Sequence, residues 1–213
     1  PSSSESATDE RAVAAWRSWL AALGSDAEAA LAASMAYAQL EAPGREQWLA
    51  ALEHDLGAVE VAPVAAYAPL LAVERDPERR SRMLQAMGNR VHRTATWSEA
   101  RALHGISRDG RRVAAIVRPS YLDFVEVLAF GYHPREGIDW VRHDPIVGAP
   151  SAPALGQELN GIALQSTSVG AVVDELAHAV VAHTRSARPI PDALRAFADL
   201  FGNVGRVPVS DGD

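Results

Sequence analysis

The chain contains no lysine and no cysteine, and all 20 of its positive side chains are arginines. Without lysine there is no Schiff-base nucleophile, no anchor for pyridoxal phosphate and no lysine to close a P-loop on a phosphate. Without cysteine there is no thiolate catalysis, disulfide, iron–sulfur cluster or thiolate-bound zinc. Long apolar runs are missing as well. None approaches the ~20 residues that a helix needs to span a bilayer, so no membrane association is expected. Arginine in place of lysine, together with abundant alanine, is the habit of a GC-rich bacterial genome. A cytoplasmic location is the default expectation. The chain opens on Pro1 rather than methionine, which reads as trimming and leaves secretion open.

What remains is the composition of an ordinary globular protein: 213 residues, 48% apolar and 22% charged. A chain of that length buries about 70% of its unfolded surface and builds a real core. The net charge of −7 is unevenly spread, with residues 1–74 carrying −8, residues 75–143 carrying +5 and residues 144–213 carrying −4. Thirteen of the arginines lie between Arg75 and Arg142. Such a basic centre can hold a phosphate or a nucleic acid through guanidinium forks. It can equally dock on the chain's own acidic flank or on a protein partner, and the acidic whole favours that second reading over nucleic acid.

Periodicity and punctuation predict an α+β protein, mainly α. Residues 1–8 read as a disordered leader, 9–88 as a helical-hairpin domain, 89–205 as a small α+β domain packed on it, and 206–213 as a tail. The first helix carries Val13, Trp16, Leu20 and Leu23 at helical spacing. Ser25 and Glu28 form a capping box for the second. Pro43 opens a third and Pro63 a fourth, in which Pro69 predicts a kink or break. Asp76-Pro77 starts a fifth, whose Arg79, Arg80 and Arg82 read as a solvated face. A weak repeat links these helices: Trp19-Leu20-Ala21-Ala22-Leu23 recurs as Trp48-Leu49-Ala50-Ala51-Leu52, and Ala36-Tyr37-Ala38 as Ala66-Tyr67-Ala68, at offsets of 29 and 30 residues. The recurrence reads as two degenerate helix-turn-helix repeats stacked as antiparallel hairpins. Chance in an Ala/Leu-rich chain produces the same pattern.

Beyond residue 89 the texture changes. A short helix is expected over Trp97 to Leu103, a strand over Val113 to Val117, and a hairpin through Pro134-Arg135-Glu136-Gly137 into Ile138 to Arg142. The sheet is therefore a β-hairpin or at most three antiparallel strands. Pro145 to Leu155 reads as a loop. C-terminal helices flank the sheet, one capped at Ser166-Thr167-Ser168 and reaching His183, and one opened by Pro191 with Leu194, Phe197 and Phe201 inward.

Two places could carry chemistry. Glu175 and His178 have the Glu-x-x-His spacing of di-iron proteins, but no second such motif exists. At about 100° per residue, His178 and Asp174 share the polar face while His183 borders the apolar stripe. The hairpin gathers His133, Arg135, Asp139, Arg142, His143 and Asp144 around one turn and its exit. If it is a site, Arg112, Arg118, Arg135 and Arg142 hold an anion and His143 transfers the proton, with His133 and Asp144 as further candidates. Adjacent residues of a strand point to opposite faces, so His143 and Asp144 do not form a dyad by themselves. No nucleophile elbow, dinucleotide-binding loop or His-Glu-x-x-His occurs, and no cofactor is expected. The reading favoured is a non-catalytic protein-interaction or regulatory module with a protein partner or a second copy as its ligand. The alternative is an enzyme or ligand-binding protein acting on an anionic small molecule or nucleic acid through the Arg/His cluster at 112–144.

Overall fold

The computed structural model describes residues 3–88, 99–186 and 188–197. The chain is α+β, with five N-terminal helices followed by a five-stranded antiparallel sheet and a C-terminal helix. It divides into two compact units: the described residues within Pro1–Thr94, with Ser120–Phe124 and Ile146–Ala149, form the first, and most of the remainder forms the second. None of the described helices is long and apolar enough to cross a membrane.

The helical unit is built from α1 (Ser3–Ala22), α2 (Ala27–Gln39), α3 (Ala42–Asp55), α4 (Pro63–Leu71) and α5 (Pro77–Met87). α1 begins at Ser3, so it takes in residues expected as an unstructured leader. Asp26, not Ser25, caps α2, accepting from the backbone N–H groups of Glu28 at 2.9 Å and Ala29 at 3.3 Å. Asp76 caps α5 in the same way, and Gly88 ends that helix with φ +74°. Pro69 is accommodated inside α4, which stops two residues later. The apolar stripes meet in one core of Leu20, Leu23, Tyr37, Leu49, Leu52, Tyr67, Leu70 and Met83.

Glu74 is only 2% exposed within this unit. It accepts from the Tyr37 hydroxyl at 2.7 Å, from Arg79 Nε at 2.8 Å, and from the backbone N–H groups of Arg75 and Asp76. Arg45 adds a longer contact at 3.3 Å. Burial by itself pushes this carboxyl up, but the bonds from Arg79, the Asp76 N–H and Tyr37 outweigh it and hold Glu74 well below the usual carboxylate range,. Arg79 and Arg82 also reach Glu46, and Arg82 reaches Glu53. Arg80 donates to the carbonyls of Leu71 and Glu74. The face expected to be solvated is thus a set of ties between the basic α5 and the acids and carbonyls around it.

The second unit corrects the expected two or three strands to five. β1 (Arg101–Ile106), β2 (Arg112–Pro119), β3 (Phe124–His133), β4 (Gly137–Gly148) and β7 (Gln165–Thr167) lie in the order β4-β3-β2-β1-β7. β5 (Glu158–Leu159) and β6 (Ile162–Ala163) form a separate two-stranded ribbon. β1 takes the last three residues of the helix expected over 97–103, because its six residues pair with β2 on one side and Ala102 to His104 pair with β7 on the other. Residues 97 and 98 of that stretch, with 89–96 before it, lie outside the described residues. β4 runs past Pro145 to Gly148 and takes the first four residues of the expected loop, which an edge strand tolerates because a missing N–H there costs no ladder bond,.

Ser168 caps α6 (Val169–Arg185), accepting from Ala171 N–H at 3.1 Å. Val172, Val173, Leu176 and Ala179 of α6 cover one face of the sheet, formed by Ala102, Ala114, Ile116, Leu128, Phe130, Tyr132 and Ile138. Val113, Ala115, Val117, Val127 and Ala129 on the other face are buried too. This explains why β2 and β3 read as continuous apolar runs rather than alternating ones. The helix expected from Pro191 is a 3-10 segment, Asp192–Phe197, within the described residues. Phe201 and the tail lie outside them.

Candidate functional site

Strand register brings three ionisable side chains together that are apart in the chain. Even-numbered positions of β2 and β3 face α6, and β2 pairs with β3 so that Arg118 stands directly opposite Glu126. On β4, Ile138 and Val141 both pack into the cluster under α6 although they are three residues apart. Alternation therefore slips by one between them, and His143, two beyond Val141, returns to the same face. His143 Nε2 donates to Glu126 Oε1 at 2.9 Å, and Arg118 donates to Glu126 Oε2. Their side chains are 22%, 28% and 17% exposed for His143, Arg118 and Glu126. Burial raises the Glu126 carboxyl, yet the His143 bond and the Arg118 charge prevail and keep it below its ordinary value. Such an ionised carboxylate can orient an imidazole, which is the positioning half of a general-base pair.

The remaining candidates scatter. His143 and Asp144 point to opposite faces, and Asp144 accepts from Arg142 Nε at 2.8 Å. Arg112 belongs to the opposite end of the sheet. There it stands across from Tyr132 in the ladder, and both reach Glu175 on α6, Arg112 at 3.5 Å and Tyr132 through its hydroxyl. Burial and the Glu175 carboxylate push the Tyr132 hydroxyl above the usual tyrosine range. His133 and Arg135 sit on the β3–β4 turn, where His133 Nδ1 accepts from the Arg135 backbone N–H at 3.3 Å and the Arg135 side chain is exposed. Arg111 spans Asp109 and Asp139. Tyr132 packs beside Phe130 under α6, while Trp140 lies against Gly131 on the other face, so the two rings do not pack across the strands.

On α6, Glu175 turns to the sheet and His178 is exposed, which separates the Glu-x-x-His pair. His183 is buried, as its place beside the apolar stripe predicts, and its Nε2 donates to the Pro189 carbonyl at 2.9 Å. Among the described residues no group of three or more His, Asp or Glu side chains is placed to hold a metal ion.

Glu126 is the residue that sequence reasoning missed. It is the lone acid in the apolar run Phe124-Val125-Glu126-Val127-Leu128-Ala129-Phe130, and a charge in a buried strand implies a partner. That signal was readable, but the partner depends on register. Compared with protein-family models, with curated proteins and with solved structures, the chain matches none.

Proposed function

We propose that this chain is a non-catalytic protein-interaction module whose helical unit carries the binding. The observation that carries this reading is the outer face of α2: Ala32, Met35, Ala36 and Gln39 follow one another at helical spacing, all exposed and none charged, with Met35 62% exposed. A helix face turned to water ordinarily carries charge, and an uncharged one suits a partner's apolar side chains. The repeat adds support. Leu20 and Leu49, Leu23 and Leu52, and Tyr37 and Tyr67 are buried pair by pair. Equivalent positions thus do equivalent packing in α1 with α3 and in α2 with α4, as stacked helical hairpins require. Three of the four arginines nominated for an external anion, Arg112, Arg118 and Arg142, are engaged by carboxylates of the same chain.

Affinity capture with the tagged chain, compared with Met35→Glu of unchanged thermal stability, tests the reading. A stoichiometric protein held by the parent chain and lost from the variant is expected, and an identical set of captured proteins would count against it.

One observation favours a second reading, a binding site for a small anion: the Glu126–His143 pair beside Arg118. That reading requires inorganic phosphate or a phosphorylated small molecule to bind in calorimetry, with the heat abolished in His143→Ala. Unchanged binding in a stable His143→Ala protein removes it.

A further inference from the structure

Over the part of α1 whose side chains are described, from Glu10 on, packing is confined to the C-terminal end. Leu20 is buried, Trp16 and Trp19 are half-buried, and every residue from Glu10 to Ala15 is exposed. Glu10, Val13, Ala14 and Arg17 follow one another at i, i+3, i+4 and i+7, so they share one face and line one shallow, open depression,. Val13 is 43% exposed and the Arg17 side chain 45%. Glu10 and Arg17 lie about two turns apart, roughly 10 Å along the axis, and cannot pair with each other. Glu10 has no ion pair among the described residues. Arg17 gives one of its N–H groups to Asp55 at 3.4 Å, an acid that also accepts from Trp16 Nε1 at 3.1 Å, and keeps others to donate,.

Read along the helix, the face runs negative, apolar, apolar, positive. That pattern is its own complement under a two-fold rotation. When two such helices pack antiparallel about a point between Val13 and Ala14, each Glu10 meets the other copy's Arg17 and each Val13 meets an Ala14. Ala12 and Ala15 beside them are small enough to let the axes approach. We propose that Glu10, Val13, Ala14 and Arg17 of α1 form an interface with a second copy of this chain, the two α1 helices packing antiparallel. The inference goes beyond the α2 reading, since it is carried by α1 and names a second copy of the chain as the partner. The contact is small, so the dimer is reversible and concentration-dependent.

Sedimentation equilibrium of the full chain over a wide concentration range tests it. Glu10→Arg alone, and Arg17→Glu alone, each place two like-charge contacts across the two-fold and are expected to raise the dimer dissociation constant about tenfold. The double variant E10R/R17E restores the parent value. Arg17→Glu also removes the contact with Asp55, so thermal melts accompany it, whereas Glu10→Arg disturbs no ion pair among the described residues. The absence of native cysteine supplies an independent measurement. Val13→Cys is expected to oxidise to a disulfide-linked dimer at low protein concentration, and Gln85→Cys on the exposed side of α5 is not. A chain that sediments as a monomer at every concentration overturns the inference, as does a dimer indifferent to both single swaps. If that monomer still captures a partner through the Met35 face, self-pairing fails while the module reading stands. If the charge-swap pattern appears and Met35→Glu changes nothing captured, the α2 reading fails and the α1 interface stands.

Discussion

At Gly137 the β3–β4 turn lies directly on the backbone of α6: φ is +89°, and a Cβ there would fall 2.5 Å from both N and Cα of His183. Neither obstacle is a flexible side-chain tip that could swing away. Gly137→Ala is therefore expected to cost at least about 2 kcal/mol, since it adds a left-handed backbone penalty to a clash with rigid atoms; chemical denaturation of the two proteins measures it. Glu74 presents the opposite situation, a buried charge that is fully partnered. Glu74→Gln removes the charge that faces Arg79 and turns one of the two acceptor oxygens into an N–H donor, and is expected to cost about 3 kcal/mol near neutral pH,. The pH dependence has a definite sign. Because the folded state holds this carboxyl below its unfolded value, the stabilisation is complete above the ordinary glutamate range and is lost as pH falls through the depressed folded value,. The gap in unfolding free energy between the parent chain and Glu74→Gln should thus narrow as the solution is acidified from pH ~7 to ~3. A gap independent of pH would mean that Glu74 acts by packing alone. Both residues carried some signal in the chain: the Pro-Arg-Glu-Gly run marked a turn, and Glu74 stood beside a helix start. What neither could show was the opposing surface, which comes from elements about 40 residues away.

Among the elements, the helices were the most legible and β1 the least. α5 could be read from Asp76, Pro77 and Gly88 alone, because a cap, a first-turn proline and a terminal glycine act within one turn of the backbone. Asp76→Ala and Ser168→Ala should each cost about 1 kcal/mol, with loss of helical signal confined to the first turn, as read by hydrogen exchange. Arg101-Ala102-Leu103-His104-Gly105-Ile106 contains one β-branched residue and favours a helix locally. It is a strand because β2 and β7 satisfy its backbone on both sides, and because Gly105 lets the chain pass β6 where a Cβ would meet the Ala163 carbonyl at 2.5 Å. β7 was hidden for a related reason. Gln165-Ser166-Thr167 is polar and three residues long, so it reads as a cap for α6, and only its pairing with Ala102 to His104 makes it an edge strand. The slip of alternation between Ile138 and Val141 was equally silent, yet it decides that His143 rather than Arg142 meets Glu126.

For the molecule as a whole, the charge map has a sharper meaning than its totals. The basic stretch from Arg75 to Arg142 spends Arg79 and Arg82 on Glu46, Glu53 and Glu74, Arg112 on Glu175, and Arg118 on Glu126. Guanidinium groups already engaged by carboxylates neutralise few phosphates and so displace few counterions from a nucleic acid. With a net charge of −7, the chain is expected to give no shift of a short duplex or single strand in a retardation assay at low salt. A salt-sensitive shift would reinstate nucleic acid as a ligand.

The sequence by itself determined which chemistries are closed to this protein, because an absent residue type cannot be supplied by folding. It also determined that the N-terminal part is a set of helices and where α5 starts and stops, since apolar period and capping are local properties. Only the tertiary structure decided the five-stranded sheet, the strand β1 and the pairing of every charge in the candidate site. Register is a relation between distant segments: moving β4 by one residue would exchange His143 for its neighbours, and no local propensity records that choice.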